Sequence, residues 1–109
     1  MTVYEMIRTA LGESVPFAKH AGVALIQVGA GEATAALAQT ATSINHVGAQ
    51  HAGALFTLGE TASGGAMAGA FAEHLSTIRP LVTQTTISYR KLATGTIMAK
   101  AKLKGDPGA

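Results

Sequence analysis

The chain has no cysteine among its 109 residues, so neither a disulfide framework nor a thiolate nucleophile or metal ligand is available to it. A reducing, cytoplasmic setting is compatible with that and is the expected location. Charge is scarce: Asp, Glu, Lys and Arg make up 13% against 48% apolar residues, where about a quarter is usual for a soluble domain. Such a chain is tightly buried or hides surface by associating with itself. The formal charge of +2 is too small to argue for nucleic acid. The start, MTVYEMIRTALGES, contains acids and lacks a basic region followed by an apolar block, so it does not read as a secretory signal. No internal repeat or low-complexity linker divides the chain, and residues 1–109 read as one domain.

What charge there is lies unevenly. Arg79, Arg90, Lys91, Lys100, Lys102 and Lys104 crowd the last part, where Asp106 is the only acid. A wet strand face and a seat for an anionic ligand both explain such a cluster.

Val3, Met6, Ile7, Ala10 and Leu11 recur at helical spacing, and the pattern predicts a short amphipathic helix reaching about Glu13. Val15-Pro16-Phe17 reads as a connector. GVALIQV and ATAALAQT flank the tetrapeptide GAGE and predict a hairpin, although alanine alone would favour helix in the second run. Thr42 to Gln50 is a polar loop. From His51 to about His74 no proline interrupts a run of small and apolar residues, which predicts a buried helix whose glycines let other backbone approach. Pro80 closes the connection that follows. LVTQTTISYRKL and TIMAKAKLK both alternate and predict two strands joined by a tight turn at ATG; in the second, Ile97, Ala99, Ala101 and Leu103 oppose Met98, Lys100, Lys102 and Lys104. The fold class expected is α+β, an antiparallel sheet wrapped around one long central helix.

Residues 52–73 are also about as long as a bilayer-spanning helix, and Gly65 with Gly69 supplies a small-xxx-small spacing. Glu60 within the segment, its Ala and Gly content, and the amphipathic strands that follow argue against a membrane span.

Asn45-x-x-Gly48-x-x-His51-Ala52-Gly53, followed by Leu58-x-Glu60-x-Ala62, resembles the signature of the hot-dog-fold acyl-CoA thioesterases. The nearest branch is the phenylacetate-pathway type, which shows N-x-x-G-x-x-H-G-G and then a carboxylate seven residues on. VTQTTISYRKLATG is similar to that family's third strand and turn. Ala52 stands where the first glycine is usual. The chain also stops at DPGA, after what would be the fourth strand, so the resemblance implies a hot-dog sheet lacking its last strands or completed in some unusual way.

The resemblance implies hydrolysis of an acyl-CoA, with coenzyme A entering as part of the substrate and no separate cofactor. Physical chemistry suggests the roles. Amides of the first helical turn lack intrahelical acceptors and carry partial positive charge, so those near Ala52 and Gly53 suit an oxyanion. Glu60, the acid nearest the helix start, is the candidate base or nucleophile, with burial expected to raise its pKa. His51 is a candidate carbonyl donor or helix cap, and Asn45 an orienting or turn residue. Gly48 reads as a backbone-conformation residue, and Ser63 and Gly64 as pocket lining. His46, His51 and Glu60 match no metal-site spacing. Arg90 and Lys91 fall where similar proteins receive the nucleotide end of coenzyme A.

Nine residues separate His51 from Glu60, about two and a half turns or roughly 13 Å along a helix, and near-opposite faces. One helix cannot bring both to one carbonyl, so a catalytic reading requires a homodimer or a dimer of dimers with shared sites. A non-catalytic acyl-thioester-binding or assembly module of the same fold is the competing expectation. An acyl-CoA dehydratase would need a His–Asp arrangement that the sequence lacks.

Overall fold

Thr2 opens the first helix by a reciprocal cap. Its hydroxyl accepts from the Glu5 amide at 3.1 Å and its own amide donates to the Glu5 carboxylate at 3.2 Å, so two otherwise orphaned donors are satisfied at once. The computed structural model describes residues 2–78 and 81–104. Arg79, Pro80 and Asp106, named above, fall outside them.

Helix α1 runs Val3–Ser14. The Val15–Phe17 connector is in part a second short helix, α2, Pro16–Ala21. Pro16 sits at its first turn, where a missing N–H costs nothing, and Gly22 ends it at φ 87°. Strands β1 (Val23–Gly29) and β2 (Glu32–Leu37) form the expected hairpin around GAGE. Alanine's helix propensity loses in β2 because Ala33, Ala35 and Leu37 all face the core. A bulge between Leu25 and Gln27 ejects Ile26, 50% exposed, and returns Val28 to the inner face.

The central helix α3 spans Ala52–Ala70 and a single 3-10 turn follows at Ala72–His74, so the long helix ends one turn sooner than the run of small residues suggests. It crosses the inner face of the sheet. Val23, Leu25, Val28, Ala33, Ala35 and Leu37 meet Ala54, Leu58, Ala62 and Ala66, with Ile7 of α1 and Ala18 of α2 closing the core. Burial of a side chain such as Leu37, 0% exposed, contributes about 1.5–3 kcal/mol. Gly65 and Gly69 make this contact. A Cβ on Gly65 would lie 2.9 Å from the Ala33 Cβ, and one on Gly69 would collide with the Gly29 carbonyl. Their small-xxx-small spacing therefore serves helix-to-sheet packing. No described helix is long and apolar enough to cross a membrane.

Strand β3, Ile97–Lys102, pairs antiparallel with β2 and gives the order β1-β2-β3. Its alternation is as expected: Ile97, Ala99 and Ala101 are half-buried, and Met98, Lys100 and Lys102 are exposed. The strand expected over LVTQTTISYRKL is not formed, and the ATG turn joins no hairpin. Residues 81–92 are exposed and enter no ladder among the described residues. The reason lies at the turn. Ala93 and Gly95 are tied to Gln50 and Gln39, so the ATG segment bonds across to the loops before α3 and after β2 and does not close a hairpin. The register of β2 and β3, Glu32 with Lys102 through Leu37 with Ile97, carries no slip.

Candidate active site at the start of the central helix

The loop before α3 is built from polar side chains turned on its own backbone. Ser43, 1% exposed, accepts from the Thr40 amide at 2.9 Å through Oγ, and its carbonyl accepts from the His51 amide at 2.8 Å. Asn45 Oδ1 accepts from the Val47 and Ala49 amides at 3.0 and 3.1 Å. The turn role for Asn45 is thus realised by its oxygen, which leaves the side-chain NH2 as its only means of orienting anything else. Gly48 sits at φ 78°, the left-handed region that favours glycine, as its place in the motif suggests. Ile44 bridges to Gln50 and closes the loop.

His51 caps α3. Its Nδ1 accepts from the Gly53 amide at 2.8 Å. An Nδ1 that accepts carries no proton, so in this geometry the neutral ring holds its hydrogen on Nε2. That N–H is the donor His51 has to offer, and the side chain is exposed. The same bond engages one of the two amides expected to hold an oxyanion: Gly53 N–H is spent on His51 unless the ring shares or releases it. Ala52 N–H, a first-turn amide with no intrahelical acceptor, has no such claim on it.

Glu60 is exposed, which corrects the expectation of a buried carboxylate. The inner face of α3 is covered by the sheet; Glu60 stands on the opposite side beside Phe56, Ser63, Gly64 and Met67, which are half-buried or exposed. A carboxylate is cheap to hold there because water solvates it. Ser63 and Gly64 accompany Glu60 on this strip. Two cavities lie elsewhere: one of about 340 Å³ on the outer sheet face beside Lys100 and Lys102, and another of about 560 Å³ between α1 and β1.

Arg90 and Lys91 are exposed. The residue before them, Tyr89, donates its hydroxyl to the Ala52 carbonyl at 3.1 Å, which brings that basic pair to the neighbourhood of the helix start. Tyr89 carried no role in the sequence reading; its place in an alternating run disguised it as a strand residue. Gln50 likewise has no signal in the sequence beyond its position next to His51. It is 3% exposed, its backbone N–H donates to the Ala93 carbonyl at 2.8 Å, and its Nε2 donates to the Gly95 carbonyl at 2.9 Å.

This architecture is shared with solved structures. A probable thioesterase from Pseudomonas aeruginosa, PA5026, superposes with a TM-score of 0.78 at 29% identity, over 92% of this chain and 65% of that one. This chain therefore spans slightly under two thirds of that relative's length. The PaaI protein of the E. coli phenylacetic acid degradation operon gives 0.67 at 24% identity, over 92% and 73%. A conserved P. aeruginosa protein, PA5202, gives 0.75 at 22%, over 84% and 71%. These likenesses identify a hot-dog fold, with its sheet laid across one long helix. No curated protein matches the chain in sequence. The family model for the domain of unknown function DUF4442 matches residues 4–107, so the chain belongs to the DUF4442 family and takes the hot-dog fold of its thioesterase-like neighbours.

Proposed function

We propose that the chain hydrolyses an acyl-CoA thioester at a site shared between two copies. The observation that carries this reading is the placement of Glu60. It stands in the open on the uncovered side of α3, two and a half turns from a helix start that is itself open. A second, antiparallel α3 against that side would set each Glu60 at the other copy's helix start. The likeness to a probable thioesterase supports the reaction class.

In this reading Glu60 takes a proton from water, and the hydroxide attacks the thioester carbonyl carbon. Ala52 N–H and His51 Nε2–H hold the oxygen as it becomes an oxyanion, and Gly53 N–H joins them when His51 Nδ1 lets it go. Collapse breaks the C–S bond; the coenzyme A thiolate leaves and recovers the proton from Glu60, giving the acid and free thiol. Direct attack by Glu60 through an anhydride is the covalent variant of the same scheme. Asn45 fixes the loop that places His51. Arg90 and Lys91 meet the phosphates of coenzyme A, the only non-protein group required, and the assembly is a homodimer or a dimer of dimers.

Subunit mixing tests both halves. Glu60→Gln and His51→Ala homodimers should each be inactive, while random reassortment of the two should restore about a quarter of wild-type turnover, since half the dimers then carry one intact site of two. No recovery on mixing, with both variants folded and dimeric, would remove the shared site.

The engagement of Gly53 N–H by His51 favours a second reading, in which the site binds acyl-CoA without turning it over. Saturable binding of hexanoyl-CoA by the wild-type chain with no thiol release would favour that reading.

A further inference from the structure

We infer that Gln50 is a positioning residue, whose side-chain N–H, beside its backbone N–H, fixes the donor end of α3 to the segment leading into β3. This rests on the thioesterase reading for its kinetic consequences only.

Gln50 immediately precedes the helix cap. Its Nε2 donates to the Gly95 carbonyl and its backbone N–H to the Ala93 carbonyl, two and four residues before β3 begins at Ile97. β3 in turn is held by six consecutive pairings to β2. The helix start is therefore referenced to the sheet, and not only to its own loop. Gly95 is held from its other side as well, its N–H donating to the Gln39 side chain.

The chemistry of the amide shows what is being selected. Gln50 Oε1 is buried and has no hydrogen-bond partner among the described residues. A buried acceptor left unpaired is a standing penalty. Methionine would fill nearly the same volume without it. Flipping the amide does not help, because Oε1 would then face the Gly95 carbonyl, acceptor against acceptor. What glutamine adds over methionine is the Nε2–H bond, and its effect falls on the next three residues: the His51 ring, the Ala52 amide and the Gly53 amide.

The test uses the whole chain and hexanoyl-CoA. Gln50→Met should lower kcat by about 10- to 100-fold, the scale on which small misplacements act, with KM changed less than threefold. Hydrogen exchange at the Gly53 and Leu55 amides, both held by His51, should rise at least tenfold, while the β1–β2 hairpin keeps its protection. Gln50→Glu has the same shape. Compared with the wild-type chain at the same pH, it should be as impaired as Gln50→Met where its carboxylate opposes the Gly95 carbonyl, and should recover as the pH falls and the carboxyl, pushed up by burial, protonates and regains a donor. Should Gln50→Met fail to fold, the pH-dependent recovery of Gln50→Glu and its helix-start exchange decide the matter. Wild-type kcat per folded molecule together with unchanged exchange at Gly53 and Leu55 would overturn the inference, even if thermal stability fell. A wild-type chain with no turnover would defeat the thioesterase reading, and the exchange measurements would still decide the role of Gln50.

Discussion

Two pairs of glycines on the one central helix have opposite surroundings. Gly65 and Gly69 press against β1 and β2, where an added methyl group meets Ala33, Leu25 or the Gly29 carbonyl; Gly59 and Gly64 have nothing within 4 Å of where a Cβ would stand. The first pair is explained by the chain's own packing. The second is not, since glycine in a helix interior gives up about 0.5–1 kcal/mol relative to alanine. A helix that keeps such residues beside Glu60, on a side left uncovered, has a surface suited to close approach by another backbone. The contrast separates what the fold needs from what the proposed site needs.

The sharpest way to break that contrast is Glu60→Gln. Turnover of hexanoyl-CoA should fall by about a thousandfold or more, the scale of losing a base or nucleophile, and the urea midpoint should stay in place because the side chain is exposed. Near-normal hydrolysis would return the outer face to a purely structural role. Gly69→Ala comes next. With a backbone carbonyl in the way, it should destabilise the chain by about 2–3 kcal/mol in chemical denaturation. Gly65→Ala should cost about 1–2 kcal/mol, because the new methyl meets the Ala33 Cβ at 2.9 Å and Leu25 at 3.0 Å, a milder overlap than the one with the Gly29 carbonyl. The smallest and most discriminating change is Gly64→Ala. Helix propensity alone predicts a gain of about 0.5–1 kcal/mol. A loss that is accompanied by a weaker dimer in sedimentation would instead show a partner's backbone at that position.

Much of this architecture could be read from residue order. The helix ending near Glu13, the GAGE hairpin and the Ile97/Lys100 alternation each follow from local rules of spacing, and the structure follows them. Gly48 was legible because a backbone need leaves a glycine behind. The failures share a cause. Residues 81–92 alternate as a strand does, but pairing is a property of the neighbours, and Gln50 and Gln39 hold the following turn where it cannot serve as a hairpin. Glu60 was expected to be buried because its sequence neighbours are apolar. Burial on a helix is decided face by face, and the sheet covers only the face of Leu58, Ala62 and Ala66. His51 was foreseen both as donor and as cap; which nitrogen does which needed coordinates.

Residues 81–92 have a consequence of their own. Among the described residues their backbone amides join no ladder and the Tyr89 hydroxyl ties them to the helix start, so they are expected to open more readily than the hairpin and α3. A brief pulse of protease should nick this stretch first. The basic pair Arg90 and Lys91 rides on it, so engaging a polyphosphate there would slow the nicking as well as strengthen binding.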